Sequence, residues 1–254
     1  MVFDRFTLDG KVALVTGAGR GLGQTMALSL AQAGAAVAVV ARTEKEIQKT
    51  AGAIGKLGKI GLAVPVDVTD SAAVDQLVER VATELGSVDI LVNNAGGEFG
   101  LGKAATELSD EEWGQLLGVN LTGAFYCTRA AGRYMLNRRW GRVINVTCIY
   151  GIRGSVYHAA YAAAKGGLMQ LSQALALEWA NYGVTVNALG FGWFEGQPAA
   201  PYTAEEREQL KRAIPVRRLG LPADVESLLI YLASDASRYL TGQNIWLDGG
   251  ILCR

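Results

Sequence analysis

Almost from end to end, the chain alternates short β-branched apolar runs with longer stretches of helical period, and this alternation leaves few folds open. The runs are KVALVT, AAVAVVA, GLAVPV, DILVN, RVINVT, VTVNAL and NIWLD. Helical stretches lie between them at residues 22–33, 44–57 and 72–85, in two pieces before residue 137, in one piece ending at Tyr182, and at 223–234. Strands without polar alternation must be covered on both faces, and helical crossovers make them parallel. The expected architecture is α/β, a doubly wound seven-stranded parallel sheet, in a single domain spanning residues 1–254. In such sheets ligands sit beyond the carboxyl ends of the strands, so the loops after each run are where chemistry is expected.

Composition narrows the function by exclusion. Lysine plus arginine equals aspartate plus glutamate at 24 each, so no global field attracts nucleic acid or a membrane surface, and neither is an expected partner. The N-terminus is charged, and the longest apolar stretch, residues 33–41, is too short to span a bilayer; the expected location is cytoplasmic. Cys127, Cys148 and Cys253 form no CxxC pair and leave an odd number, which suits free thiols in a reducing compartment. With His158 the only histidine, no histidine-rich metal site is available and no metal is expected. The G-x-S-x-G elbow of a hydrolase is also missing.

The first run ends in Thr16-Gly17-Ala18-Gly19-Arg20-Gly21-Leu22-Gly23, immediately before a helix. The strict G-x-G-x-x-G spacing fails at Leu22, but Gly17, Gly21 and Gly23 still permit a tight turn and close approach of a pyrophosphate to a helix N-terminus. The alternative is a glycine-rich turn with no ligand. NAD sites usually place an acid at the end of the second strand to hold the ribose 2′-OH. Here Ala41-Arg42 stands instead, and Arg20 and Arg42 together are suited to a 2′-phosphate. NADP(H) is the expected cofactor, against the plainer reading of Arg42 as a solvated surface residue.

Tyr161 and Lys165 lie at i and i+4 on a stretch that reads as a helix, so their side chains share one face. A neighbouring ammonium favours the phenolate and makes a tyrosine usable for proton transfer. The alternative is an ordinary amphipathic helix with a surface lysine.

Together these residues resemble the short-chain dehydrogenase/reductase family, in its compact form, over essentially the whole chain. The resemblance rests on the glycine-rich loop, Asp67-Val68, Asn93-Asn94-Ala95-Gly96, Asn120, Tyr161 with Lys165, and the closing Leu247-Asp248-Gly249-Gly250. It implies a Rossmann-like fold and hydride transfer between nicotinamide and a carbonyl or secondary alcohol. It makes Tyr161 the general acid or base, Lys165 the residue that tunes Tyr161 and holds the nicotinamide ribose, and Asn120 part of a proton relay. Gly17, Gly19, Arg20, Gly21, Leu22, Arg42, Asp67, Val68, Asn94, Ala95 and Gly96 are implied to line the cofactor with Tyr161 and Lys165, and Phe194 to flank the nicotinamide. A homotetramer is the oligomeric state that the resemblance implies.

The chain departs from the family pattern in two places. Where the family usually carries a serine, thirteen residues before the tyrosine, Cys148 stands, and a thiol is the weaker donor. Thr147 cannot substitute unless the strand has already turned, because neighbouring strand residues point to opposite faces. The family's Pro-Gly after the sixth strand is Phe191-Gly192, and a threonine often found a few residues later is Gly196. Residues 190–213, opening on GFGWFEGQPAAPYT, are expected to form a substrate lid. The expected substrate positions are Glu98, Phe99, Tyr150, His158, Trp193 and Tyr202, although for the aromatics lid packing is an open alternative and for His158 a packing role is the stronger one. Those aromatics favour a cyclic or hydrophobic ketone, with a keto sugar as the second option. A 3-oxoacyl carrier-protein reductase is a third, weakened because Tyr182 stands where such reductases often have arginine. From a different class comes a catalytically weak NADP(H)-binding sensor or scaffold; the retention of Tyr161, Lys165 and Asn120 argues against it.

Overall fold

The structure is a computed structural model that describes residues 1–97, 102–196 and 203–254. The seven apolar runs become β1 (Val12–Thr16), β2 (Ala36–Ala41), β3 (Gly61–Pro65), β4 (Ile90–Asn93), β5 (Gly141–Cys148), β6 (Val184–Phe191) and β7 (Asn244–Leu247). They form one sheet in the order β3-β2-β1-β4-β5-β6-β7, and every neighbouring pair is parallel. The order reverses between β1 and β4, which sets the binding crevice beyond their carboxyl ends.

Strand alternation sorts the core into two layers. Ala13, Val15, Val37 and Val39 face α1 (Gly21–Gln32) and α8 (Ala223–Ala233), packing with Met26, Leu30, Val225 and Leu229. Val12, Leu14, Ala38 and Val40 face the other way and pack with Val74, Leu77 and Val81 of α3 (Ser71–Leu85) and with Cys127, Ala131 and Met135 of α5 (Gly123–Arg138). Local signals set the helix ends. The Asp70 carboxylate caps α3 by accepting from the amides of Ala72 and Ala73, both at 3.0 Å, and Gly86 ends it at φ 89°. Ser109 with Glu112 makes a capping box at α4 (Asp110–Leu117), and Thr203 with Glu206 makes one at α7 (Ala204–Ala213).

Two strand ends differ from the expectation. β5 includes Cys148, and β6 continues through Gly190 and Phe191, so the segment expected as a lid from residue 190 begins two residues inside the sheet. The cause is β7: Gly190 pairs with Trp246 and Phe191 with Leu247. The Trp246 ring covers Gly190 so closely that a Cβ there would lie 2.1 Å from it.

At the opposite end of the sheet from the crevice, Arg142 is buried at 2 % exposure. It donates to the carbonyls of Ser234 (3.1 Å), Gly141 (2.8 Å) and Gly183 (3.2 Å) and to Asp235 (2.9 Å), while its guanidinium lies over Trp140. Burial lowers its pKa, opposed by Asp235. Arg142→Met strands buried carbonyls, and urea denaturation is expected to show a loss of about 2 to 3 kcal/mol. A loss within about 0.5 kcal/mol would mean that Arg142 bonds nothing important.

Candidate active site

At the switch point Thr16 ties the ends of β1 and β4 together. Its hydroxyl accepts from the amides of Asn94 (3.0 Å) and Ala95 (2.9 Å), and the Asn94 side-chain amide donates to the carbonyls of Thr16 (3.0 Å) and Gly17 (3.1 Å). Asn94 thus holds the glycine-rich loop in shape. Gly17 and Gly21 take positive φ of 65° and 57°, and a Cβ at Gly23 would sit 2.1 Å from the Gly17 carbonyl. α1 begins at Gly21, and Arg20 at its N-cap places no side-chain bond on the first-turn amides, which leaves them to an anion. Leu22 packs against the core.

Both arginines expected at a 2′-phosphate lie beside carboxylates. Arg20 Nη1 is 3.6 Å from Glu46 Oε1, on α2 (Glu44–Lys56). Partial burial raises the Asp67 pKa, but bonds from the Thr69 amide (2.9 Å) and hydroxyl (2.8 Å) and the charge of Arg42 outweigh it and hold the carboxyl below its ordinary range. Val68 is buried against Gly123. A glycine cradle and an uncapped helix start fit a phosphorylated dinucleotide such as NADP(H).

Two of the residues expected to handle protons, Asn120 and Lys165, converge on Gly96. A Cβ built there would lie 2.8 Å from Asn120 Oδ1 and 3.6 Å from Lys165 Nζ. Asn120 sits in a π-helical turn, Gly118–Thr122, where α4 runs into α5, and such turns recur at functional sites. It is buried, and its amide donates to the carbonyls of Gly97 (2.8 Å) and Leu116 (3.1 Å). Tyr161 and Lys165 stand one turn apart on α6 (Ala159–Trp179), both buried. Lys165 Nζ donates to the Val146 carbonyl at 3.0 Å and lies 5.6 Å from the centre of the Tyr161 ring.

Cys148 closes β5 at an apolar junction, between Leu116, Ala160 and Tyr161 on one side and Ile149, Ile214, Leu219 and Ile251 on the other. The buried hydroxyl of Thr147 has no hydrogen-bond partner among the described residues. Tyr150 and Trp193 join the same junction. The His158 ring packs on Tyr150 with centroids 4.8 Å apart, and its Nδ1 lies 2.6 Å from the Val156 carbonyl, so Nδ1 carries the proton there and His158 is held as a turn residue before α6. Phe194, expected beside the nicotinamide, turns inward at 2 % exposure against Phe191, with Gly220 flat against its ring. Glu98, Phe99 and Tyr202 lie outside the described residues.

The sequence reading missed a buried network beneath the site. The Asn93 side chain reaches Thr128 Oγ1 and Asn145 Oδ1, both at 2.8 Å, and Asn145 donates to Ser172 Oγ at 2.9 Å. It joins β4, β5, α5 and α6 below Gly96. The run of Asn93 and Asn94 was the one available signal.

Fold and site together define a nucleotide-dependent oxidoreductase of the doubly wound class. A family model described as enoyl-(acyl carrier protein) reductase matches residues 17–252, and the chain belongs to the short-chain dehydrogenase/reductase family. It is 36% identical over 243 residues to the 3-oxoacyl-[acyl-carrier-protein] reductase FabG of Escherichia coli K12, covering 96% of this chain and 98% of that one. Over 260 residues it is 35% identical to the 2-dehydro-3-deoxy-D-gluconate 5-dehydrogenase of the same strain, with both chains fully covered. The crystal structure of a gluconate 5-dehydrogenase from Burkholderia cenocepacia, in complex with NADP and tartrate, superposes with a TM-score of 0.94 at 34% identity over the whole of both chains. Among the described residues, no helix is long and apolar enough to cross a membrane.

Proposed function

We propose that the chain is an NADP(H)-dependent oxidoreductase that interconverts a ketone and a secondary alcohol. The observation that carries the reading is the convergence of Asn120 and Lys165 on Gly96, one helical turn from Tyr161 and beside the glycine-rich cradle. The backbone of Gly17, Gly19, Gly21 and Leu22 receives the pyrophosphate, Arg20 and Arg42 the 2′-phosphate, and Asp67 and Val68 the adenine. Asn94, Ala95 and Gly96 border the rest. When bound, NADPH supplies the hydride to the carbonyl carbon. Tyr161 gives its phenolic proton to the carbonyl oxygen, Lys165 favours the phenolate left behind, and the turn holding Asn120 connects that pair to solvent protons. Cys148 stands beside the same oxygen as a second, weak donor.

On the substrate side, Tyr150, Trp193, Ile214 and Ile251 build an apolar wall and favour a cyclic or hydrophobic ketone. The two gluconate-type relatives support a keto sugar as the second reading. NADPH oxidation against cyclic ketones, keto sugars and 3-oxoacyl thioesters tests this. Turnover of either of the first two classes, with thioesters slow, is expected; fast turnover of thioesters alone overturns it. The substrate lid runs from Gly192 through α7; residues 197–202 of it lie outside the described residues, and on either side of them the Glu195 carboxylate pairs with Arg207 at 2.8 Å. A homotetramer fits the exposed Phe125 on α5 and Leu177 on α6, and a cytoplasmic location fits three cysteines that form no CxxC pair.

Arg42→Asp removes a phosphate partner and adds a like charge, so the preference for NADPH over NADH is expected to vanish or reverse. Fluorescence titration of both cofactors measures it. Equal affinities in the unmutated protein would contradict the roles given to Arg20 and Arg42.

A further inference from the structure

Glu46 has no place in the reading so far, yet its carboxylate is built against the loop that receives the cofactor. Glu46 and Thr50 stand one turn apart on α2, on the face that meets the glycine-rich loop. A Cβ at Gly19 would lie 2.9 Å from Glu46 Cβ and 3.0 Å from its Oε2. Thr50 is buried, accepts from Gln24 Nε2 at 3.0 Å and reaches the Gly19 carbonyl at 3.4 Å, which fixes this face of α2 on the loop. Glu46 also pairs with Arg20, one of the two arginines proposed above to receive the 2′-phosphate. A carboxylate in the first turn of a helix favours the helix dipole, but that needs neither contact with Gly19 nor pairing with Arg20, and Glu44 already supplies such a charge.

We propose that Glu46 is a cofactor-specificity residue: its carboxylate holds the Arg20 guanidinium in the free protein and competes there with the ribose 2′-phosphate, moderating the preference for NADP(H) over NAD(H). The inference rests on the NADP(H) reading above. At 3.6 Å and with the Arg20 side chain 67% exposed, the pair is weak, so a phosphate takes the arginine over. A like charge then remains beside the bound phosphate and opposes it, while the 2′-hydroxyl of NADH meets no such opposition.

The test is titration of Glu46→Gln by protein fluorescence with NADPH and NADH, and with 2′,5′-ADP and 5′-ADP, which lack nicotinamide. Glu46→Gln is expected to bind NADPH and 2′,5′-ADP roughly three- to tenfold more tightly. NADH and 5′-ADP should stay within about twofold, and the gain should shrink as salt rises past about 0.5 M. Unchanged or weaker binding of the 2′-phosphorylated ligands overturns the proposal; weaker binding would make Glu46 a positioning clamp for Arg20. Arg42→Asp, titrated alongside, separates the failures. If it collapses the NADPH preference while Glu46→Gln leaves it unmoved, only the role of Glu46 falls. If neither variant moves it, the NADP(H) reading falls as well.

Discussion

Tyr161→Phe is expected to lower kcat by at least about 10²-fold while leaving fold and NADPH affinity nearly intact, since only the proton-transferring hydroxyl is lost. The ring fills its place between Leu116 and Ala160 in either form, so packing is kept. Lys165 keeps its bond to the Val146 carbonyl, which does not depend on the phenol. Steady-state kinetics paired with cofactor titration and a thermal melt measures all three. Residual turnover above about a tenth of the original would point to another acid, outside the loss expected for general acid catalysis.

The second large effect concerns Cys148. As the hydride arrives, negative charge grows on the substrate oxygen, and removing one good donor from such a site typically costs about 10² to 10³ in rate. A thiol in that place forfeits part of the stabilisation, because S–H donates weakly. Cys148→Ser is therefore expected to raise kcat on a simple ketone by about tenfold, and Cys148→Ala to lower it, with neither changing NADPH affinity. Thr147 does not compensate in either variant, since it neighbours Cys148 on β5 and points to the opposite face of the sheet. The rival account makes Cys148 a redox-sensitive thiol, in which case mild peroxide should silence the unmutated enzyme and spare Cys148→Ser. Cys127 cannot confuse that test, because burial pushes its thiol up to about 12 and keeps it unreactive. If serine slows the enzyme and alanine does not, Cys148 is not standing in for a hydroxyl donor.

What could be read from the sequence was local. The seven strands, the glycine-rich turn and the spacing of Tyr161 and Lys165 are encoded within a few residues of one another. What could not be read depends on partners far along the chain. Asn93 stands in a motif that marks the cofactor border, and its buried partner Asn145 comes into view only when the fold brings it from 52 residues away. Strand β6 outlasts its apolar run because β7 supplies a ladder for Gly190 and Phe191. Phe194 is expected to flank the nicotinamide, yet Gly220 offers a flat backbone against which it buries. Glu46 reads as one charge in a solvated first turn, and only the packing of α2 on Gly19 gives it a neighbour. The pairing of Glu46 with Arg20 bears directly on the cofactor, because sequence alone credits Arg20 with no carboxylate partner.

The central claim is that this site moves a hydride, as opposed to merely binding a nucleotide. The most direct measurement is a single-turnover reaction of the purified protein with NADPH deuterated at the nicotinamide C4, mixed with a cyclic ketone or a keto sugar and analysed by mass spectrometry. The account predicts an alcohol carrying one deuterium on its carbinol carbon, formed by the unmutated protein and not by Tyr161→Phe. Tight NADPH binding with no labelled alcohol from any carbonyl class, or equal labelling by both proteins, would contradict it.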